Sequence, residues 1–444
     1  MAPAYALLDI DVRLVAVTGE RTGGGQNMSS FVGPVVPAEE GGDAGGGSSR
    51  PLSDTLRWAL GIDDDEGERV KGLADWVRQG TARLVADGPA GPPPAISTVS
   101  LHLPATPREI NAHVESVRVA SADGNLLALS TGPKLYGFNS SGQSLVHDAA
   151  AGALLAPPPI NWYDFCETFG ARPVVVCRGG GGDFVLAEVL QSEYTNEYSL
   201  LLWSHASSGA AATGTGGAGQ WVYHDVHLPD GVAGYPFYSD VAFAVEGRWA
   251  CWADLFWGLL MCDVLSPEPA LHFVPLPEEY QSHSFPMVRG RANVYSTAGC
   301  VAGEVKLLYM DGYDEPEEVP RDEITISTWT LERRTGQEPG KWRWRRDGGA
   351  ARLRVGDLWA DDSFLAIPGV PRRAPMCPVL NPEEPDLVYF FTSDIGRVDR
   401  RVSTKGEYVL VLNLQSKKIQ SWSKCPPGRS RELFPSFVAA ELCA

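Results

Sequence analysis

Between Val241 and Pro277 the chain alternates apolar runs with turn residues. VAFAV leads to Glu246-Gly247, RWACWAD to Phe256-Trp257-Gly258, LLMCDV to Ser266-Pro267, and LHFV closes before Pro275. Short runs rich in β-branched and aromatic side chains, punctuated by Gly and Pro, predict four strands folded back on one another. The design recurs in HVESVRVASADGNLLALSTGPKLYGFNSSGQSLVHDAAAGALLAPPP, and again from DFVLAEVLQ through QWVYHDVHLP. A further unit is drawn from RANVYSTAG, VKLLYMDGY, ITISTWTL and KWRWRRD, and a fifth from ARLRVGDLW, LVYFFTSD, EYVLVLNL and KKIQSWSK. Four-stranded units spaced by roughly 45 to 75 residues need neighbours to cover their faces, as the blades of a propeller do. The pattern predicts an all-β, β-propeller-like fold of five or six four-stranded blades over residues 96–425. YALLDIDVRLV and ISTVSLHL are expected to complete the last blade and close the ring, which removes exposed sheet edge. A β-sandwich pair is the competing architecture, and the five-fold recurrence argues against it.

The rest of the chain breaks this rhythm. Residues 1–18 read as an N-terminal strand. Residues 19–50, rich in Gly, Ser and Pro, are expected to be a disordered linker, because they cannot bury enough apolar surface to order themselves. Residues 51–95 read as a helical insert and linker. Within it, Asp54 to Gln79 is the best helical stretch, interrupted by Asp63-Asp64-Asp65-Glu66, with Val70, Leu73 and Val77 on one apolar face. A packed surface helix is the plain reading of that face, and a partner-binding helix the rival. Ser208 to Gly219 is a flexible loop by composition, and 426–444 is set apart as a C-terminal tail.

Composition narrows the function classes. The 444 residues are 44% hydrophobic with 13 Trp, enough for a sizeable core, and the net charge is −18. That balance argues against wrapping a phosphate backbone and against an anionic membrane surface. The eight cysteines, at 166, 177, 251, 262, 300, 377, 425 and 443, form no Cys-x-x-Cys pair. Several lie in apolar runs, as buried reduced thiols do. MAPAYALLDIDVRLV has no basic leader and acquires Asp9 and Asp11 inside its apolar run, unlike a signal peptide. The sequons at Asn27 and Asn139 are therefore expected to be unused. With no apolar stretch of about 18 residues, the expectation is a soluble intracellular monomer of cytoplasm or nucleus, binding neither nucleic acid nor membrane.

Each candidate for chemistry has a structural counterpart. Gly179 to Gly182 precedes a strand rather than a helix and lacks the Lys of a phosphate loop, so it reads as an inter-strand turn. His224 and His227, three apart on a strand, point to opposite faces. Cys251, Cys262 and His272 are too widely spaced for a local zinc motif, although neighbouring strands could bring them together. Asp254 and Asp263 could form an acid and base pair, but Asp at strand ends more often caps turns. Lys341-Trp342-Arg343-Trp344-Arg345-Arg346 could stack bases. As a strand it separates Trp342 and Trp344 on one face from Lys341, Arg343 and Arg345 on the other, the alternation of a half-buried outer strand. No catalytic, cofactor-binding or metal-binding residue is assigned, and no cofactor is expected.

Several positions carry a family resemblance. Trp252-x-Asp254, Gly258, Cys262-Asp263-Val264, Pro269 and Leu276-Pro277 form its centre. Pro92-Pro93-Pro94, Leu126-Leu127, Ala187-Glu188, Thr328-Trp329-Thr330-Leu331 and Pro378-Val379-Leu380 followed by Asp386-Leu387-Val388-Tyr389 extend it. Over residues 90–425 the chain resembles domain of unknown function 1618, a large plant family abundant in grasses. Glu384-Pro385-Asp386 stands where that family tends to have Asp-Pro-Asp. The resemblance implies no activity. It is similar in pattern to the propeller-like domains of plant F-box proteins, which recruit targets for ubiquitination, but no F-box segment is visible. The expected role is a protein–protein interaction scaffold or adaptor with an unidentified protein partner. The alternative is a hydrolase or carbohydrate-active propeller, its acids gathered at one mouth from several blades.

Overall fold

The computed structural model describes residues 6–17, 66–87, 94–131, 143–158, 167–206, 219–229, 237–280, 292–313, 319–333, 342–347, 352–398, 401–425 and 437–440, with short interruptions in 94–131 and 167–206. The expected linker at 19–50 and the loop at 208–218 lie outside them.

Val241–Val245, Trp249–Asp254, Gly258–Asp263 and Leu271–Pro275 form one antiparallel sheet in chain order, here blade 3. Its two middle strands are buried on almost every residue, and the reason lies in the alternation of a strand. Cys251, Ala253, Leu259 and Met261 join the core shared with the blades that follow. Ala250, Trp252, Leu260 and Cys262 join the core shared with the blade before. The first hairpin turn puts Glu246 and Gly247 at φ of 54° and 61°, the left-handed pair that a tight hairpin requires.

Four more blades repeat this arrangement, giving a five-blade propeller. Blade 1 is Val117–Asp123, Leu126–Thr131, Ser144–Asp148 and Ala153–Leu155. Blade 2 is Val174–Cys177, Phe184–Gln191, Tyr198–His205 and Trp221–Val226. Blade 4 is Ser296–Val301, Glu304–Asp311, Thr325–Arg333 and Trp342–Arg346. Blade 5 is Met376–Leu380, Leu387–Val398, Arg401–Asn413 and Lys418–Lys424. The first strand of each blade is the inner one, and successive inner strands touch around the ring.

Closure differs from the expectation. Ala6–Asp9 pairs antiparallel with Phe437–Ala440 and parallel with Ile96–Ser97. This three-stranded sheet sits between blades 5 and 1, with Phe437–Ala440 against both inner strands. The segment set apart as a tail therefore supplies the strand that completes the ring. YALLDIDVRLV does not stay in one sheet: after Asp9 the chain shifts, and Asp11–Ala16 joins blade 1 and pairs with Val99–Leu103. Asp9 accepts the Asp11 amide at 3.2 Å, which fixes the break between the two strands.

The start of blade 5 also needs correction. ARLRVGDLW alternates like a strand, but only Leu353–Arg354 pairs, and it pairs with blade 4. Val355–Ala360 (α2) and Asp362–Leu365 (α3) follow as short helices. Val355 and Leu358, three apart, are both buried, and Asp361 caps α3 by accepting the Ser363 amide at 2.8 Å. The helical spacing and the cap outweigh the alternation. Met376–Leu380 is the true inner strand.

Glu66–Arg78 forms a helix, α1, beside blade 1. Leu73 and Val77 pack into its core as the apolar face predicts, together with Ala74. Among the described residues no helix is long and apolar enough to cross a membrane.

Candidate functional site at the mouth of the ring

The inner strands run the same way along the axis, so the ring has a mouth where they begin and a foot where they end. The foot is tight. Asp123 accepts the Cys177 amide at 2.7 Å, and the Ala302 amide reaches the Pro382 carbonyl at 2.7 Å. A Cβ on Gly247 would stand 2.8 Å from the Cys177 carbonyl oxygen.

The mouth gathers charge. Arg118, near the start of the inner strand of blade 1, lies opposite Asp11 in the register, with Nε 3.3 Å from Asp11 Oδ1. Arg172 leads into the inner strand of blade 2, and its carbonyl accepts the Trp252 indole N–H at 3.0 Å. Asp240 leads into blade 3 and accepts the Leu255 amide at 2.9 Å. Burial pulls the Arg172 guanidinium down to about 10, and the Arg118 charge adds to that while Asp240 opposes it. The inner strands of blades 1, 2 and 3 all touch one another, which brings these groups together.

On the same face, aromatic side chains collect around the start of blade 4: Tyr280 and Tyr295 on the connection from blade 3, Tyr309 and Trp329 on its second and third strands, and Tyr313 just after the second. Tyr280 stacks on Tyr309 with centroids 3.9 Å apart and meets Trp329 edge-on at 4.8 Å. Tyr295 stacks with Tyr313 at 5.7 Å. Arg346 lies 5.2 Å from the Trp329 centroid and Arg321 5.2 Å from that of Tyr313. Tyr280, Tyr309 and Tyr313 are half-buried, each keeping part of its ring in solvent. The Tyr280 phenol is pushed up to about 12, by burial first and then by Asp311 and Glu279, so it remains a hydrogen-bond donor.

The candidates read from sequence do not converge here. Asp254 is fully buried and accepts the amides of Tyr238 and Phe256, each at 3.0 Å. Asp263 lies at the other end of the blade, bound by Arg248 Nε at 2.7 Å and the Leu265 amide at 3.1 Å. About 17 Å of strand separates the two, at some 3.4 Å per residue, so they are not an acid and base pair. Cys251 and Cys262 occupy opposite faces of blade 3, and burial raises both thiols, Cys262 to about 12. His272 stands in register with Cys251 through Met261, away from Cys262. Among the described residues no three His, Cys, Asp or Glu side chains gather as a metal site.

His224 lies on the outer strand of blade 2, whereas His227 lies beyond its end. Gly179 and Gly182 belong to the turn between the first two strands of that blade, closed by the Arg178 amide on the Asp183 carbonyl at 2.8 Å. Arg343 and Arg345 are exposed while Trp342 and Trp344 are half-buried. Trp344 donates to the Pro275 carbonyl at 2.8 Å, so this strand ties blade 4 to blade 3. Lys341 lies outside the described residues.

Two features of the site went unnoticed in the sequence. Arg172 sits in an unremarkable Ala-Arg-Pro, and nothing local marks it. Glu188 was read only as part of a family motif, yet it is a carboxyl inside the apolar run FVLAEVLQ. It is buried, accepts the Ser144 hydroxyl from blade 1, and is raised to about 7 by desolvation, partly opposed by that hydrogen bond.

The central and later blades carry a family signature. Residues 252–389 match DUF1618, a protein of unknown function. The DUF1618 match runs from the second strand of blade 3 to the second strand of blade 5, and its ends, Trp252 and Tyr389, are both in the motifs read from sequence. No curated protein matches the chain. Among solved structures, the β-propeller domain of the Trilobed protease from Pyrococcus furiosus is 8% identical over 67% of this chain and 68% of its own, with a TM-score of 0.29. A putative 6-phosphogluconolactonase from Bacteroides fragilis is 8% identical over 69% of this chain and 84% of its own, with a TM-score of 0.31. The catalytic domain of a Coprinopsis cinerea GH62 α-L-arabinofuranosidase is 11% identical over 73% of this chain and 98% of its own, with a TM-score of 0.30. Likenesses this loose assign no activity to this chain.

Proposed function

We propose that this protein is a protein–protein interaction scaffold or adaptor of the plant cell interior, docking its partner on the mouth face. The observation that supports this reading is the half-buried surface of Tyr280, Tyr309 and Tyr313 with Arg321 and Arg346. Tyr and Arg dominate the energetics of protein interfaces, because each offers a large contact area together with hydrogen-bond donors. Ring stacking holds these side chains in place before binding, which lowers the ordering cost of association. The experiment is affinity capture from plant tissue with the full chain and with a Tyr280→Ala, Arg321→Ala variant. A partner retained by the first and lost by the second is the expected result. A partner retained equally by both would move the interface elsewhere.

The alternative, a hydrolase or carbohydrate-active propeller, draws on Asp11 and Asp240 lying at one mouth from different parts of the chain. Asp11 faces Arg118 and Asp240 holds a backbone amide, both structural duties. Turnover of a glycoside by the purified chain, lost in Asp240→Asn, together with no captured partner, would replace the scaffold reading.

A further inference from the structure

Blade 5 differs from the others in the length of its middle strands. Leu387–Val398 and Arg401–Asn413 hold 12 and 13 residues, against five to nine in blades 1 to 4. Their neighbours stop early: the first strand pairs no further than Phe391 and the fourth no further than Tyr408. Beyond the blade the two middle strands go on pairing, from Asp394 with Lys405 to Val398 with Arg401. The result is a two-stranded ribbon, about 14 Å long at some 3.4 Å per residue, that leaves the blade at its mouth end. A bulge between Thr392 and Asp394 marks the root and re-aims the strands as they emerge. The root is fixed on the first-strand side, where Arg373 donates to Asp394 Oδ1 from Nε at 3.1 Å and from Nη2 at 2.8 Å. On the other side the fourth strand ends at Lys424, and among the described residues no strand continues alongside Arg401–Lys405.

A ribbon of two strands has little stability of its own, and its outward amides and carbonyls are a template for a third. Charge selects which strand can take that place. Residues 394–424 contain seven Lys and Arg against three Asp and Glu, in a chain whose net charge is −18. A second copy of the ribbon would bring like charges together, whereas an acidic strand is attracted. Where the fourth strand ends, Lys424 is exposed, with its Nζ 5.7 Å from the Tyr408 ring centroid. Trp422, 38% exposed, meets Tyr408 edge-on at 5.9 Å. The Tyr408 hydroxyl donates to the Pro368 carbonyl at 2.8 Å, so Trp422 rests on a fixed ring, a preplaced aromatic anchor of the kind that dominates interfaces.

We propose that this ribbon is a docking site for an acidic, extended segment of a partner protein, which adds alongside Arg401–Lys405 as a third strand in line with the fourth strand of the blade. Backbone hydrogen bonds to the ribbon supply affinity, and the end of the segment meets Lys424 and Trp422, which select an acidic and an apolar side chain. This surface is separate from the Tyr280 face and does not rest on it.

The test uses the full chain and a fluorescein-labelled peptide of about ten residues alternating Glu with Val, read by anisotropy, the span a single added strand covers. Its controls are the same peptide with Lys for Glu, and the Glu peptide N-methylated along one edge, which cannot complete a strand ladder. Saturable binding of the Glu peptide is expected, weakening as ionic strength rises, with the Lys peptide unbound and the N-methylated peptide weaker by about tenfold or more. Arg401→Glu with Lys405→Glu should weaken binding about tenfold or more, attraction becoming repulsion at two positions, and Trp422→Ala about fivefold or more. Arg343→Glu, on the exposed face of blade 4, and the Tyr280→Ala, Arg321→Ala variant should bind as the parent does, which separates this surface from the Tyr280 face. The peptide and salt controls need only the parent chain, so they decide even if a variant does not fold. No saturable binding, equal binding of the Glu and Lys peptides, no loss on N-methylation, or unchanged affinity in the Arg401, Lys405 variant would overturn the proposal. Tighter binding of a DNA duplex than of the Glu peptide, lost in that same variant, would overturn it in favour of a nucleic-acid site.

Discussion

Glu188→Gln should make this protein more stable above neutral pH, and the structure sets the size of the effect. Glu188 lies between blades 2 and 1, buried, with the Ser144 hydroxyl as donor. Its folded pKa is raised from 4.5 to about 7, with desolvation the larger cause. The native state therefore holds this proton where the unfolded chain has lost it. Stability from this group is fully present below pH 4.5 and falls as pH rises through 7. A shift of that size corresponds to roughly 3 kcal/mol, at about 1.4 kcal/mol per unit. Gln keeps the volume and can still accept from Ser144, but it carries no charge at any pH. His147, in the adjacent blade, has its pKa lowered by burial and acts in the opposite sense at acid pH. It is present in both proteins, so the difference between them isolates Glu188. Urea denaturation from pH 5 to pH 8 should show the variant's advantage growing by about 2–3 kcal/mol over that range. A difference that stays flat with pH would mean that Glu188 titrates as an ordinary carboxyl, and the argument from its burial would fail.

Other perturbations address the fold itself. Trp252→Ala removes a 1% exposed indole and leaves the Arg172 carbonyl without its donor; it should cost about 3–5 kcal/mol, and a thermal melt within a degree of the parent would refute its core assignment. Gly247→Ala places a Cβ 2.8 Å from the Cys177 carbonyl at a φ of +61°, so it should destabilise by about 1–3 kcal/mol. Gly80→Ala has a similar φ but open space around it, and should cost clearly less in the same denaturation assay. Removing residues 437–444 deletes the strand that pairs with Ala6–Asp9, so blades 1 and 5 should become the first sites of limited proteolysis; an unchanged cleavage pattern would show that closure does not depend on it.

Much of the architecture was legible in local pattern. The four strands of blade 3 fall where the Gly and Pro punctuation puts them, and their unbroken apolar character follows from being covered on both sides. Leu73 and Val77 announced the buried face of α1 by spacing alone, and the Trp342–Arg346 strand announced its two faces by alternation. At 353–360 the local signals conflicted: the alternation of ARLRV pointed to a strand, and the spacing of Val355 and Leu358 with the Asp361 cap decided for helix. The closing strand at 437–440 could not be recognised locally, because its partner is the opposite end of the chain.

The sequence by itself determined most of the segments that become strands, where they turn and the four-stranded unit they repeat, because backbone sterics, turn chemistry and side-chain alternation act between near neighbours. The tertiary structure alone decided which strand lies innermost and how the N-terminal run divides between two sheets. It also decided that Arg118, Arg172 and Asp240, distant in the chain, meet at one mouth. Those outcomes depend on how sheets stack around an axis, and the energies that set that stacking come from burial between blades. No short stretch of sequence contains both sides of such a contact.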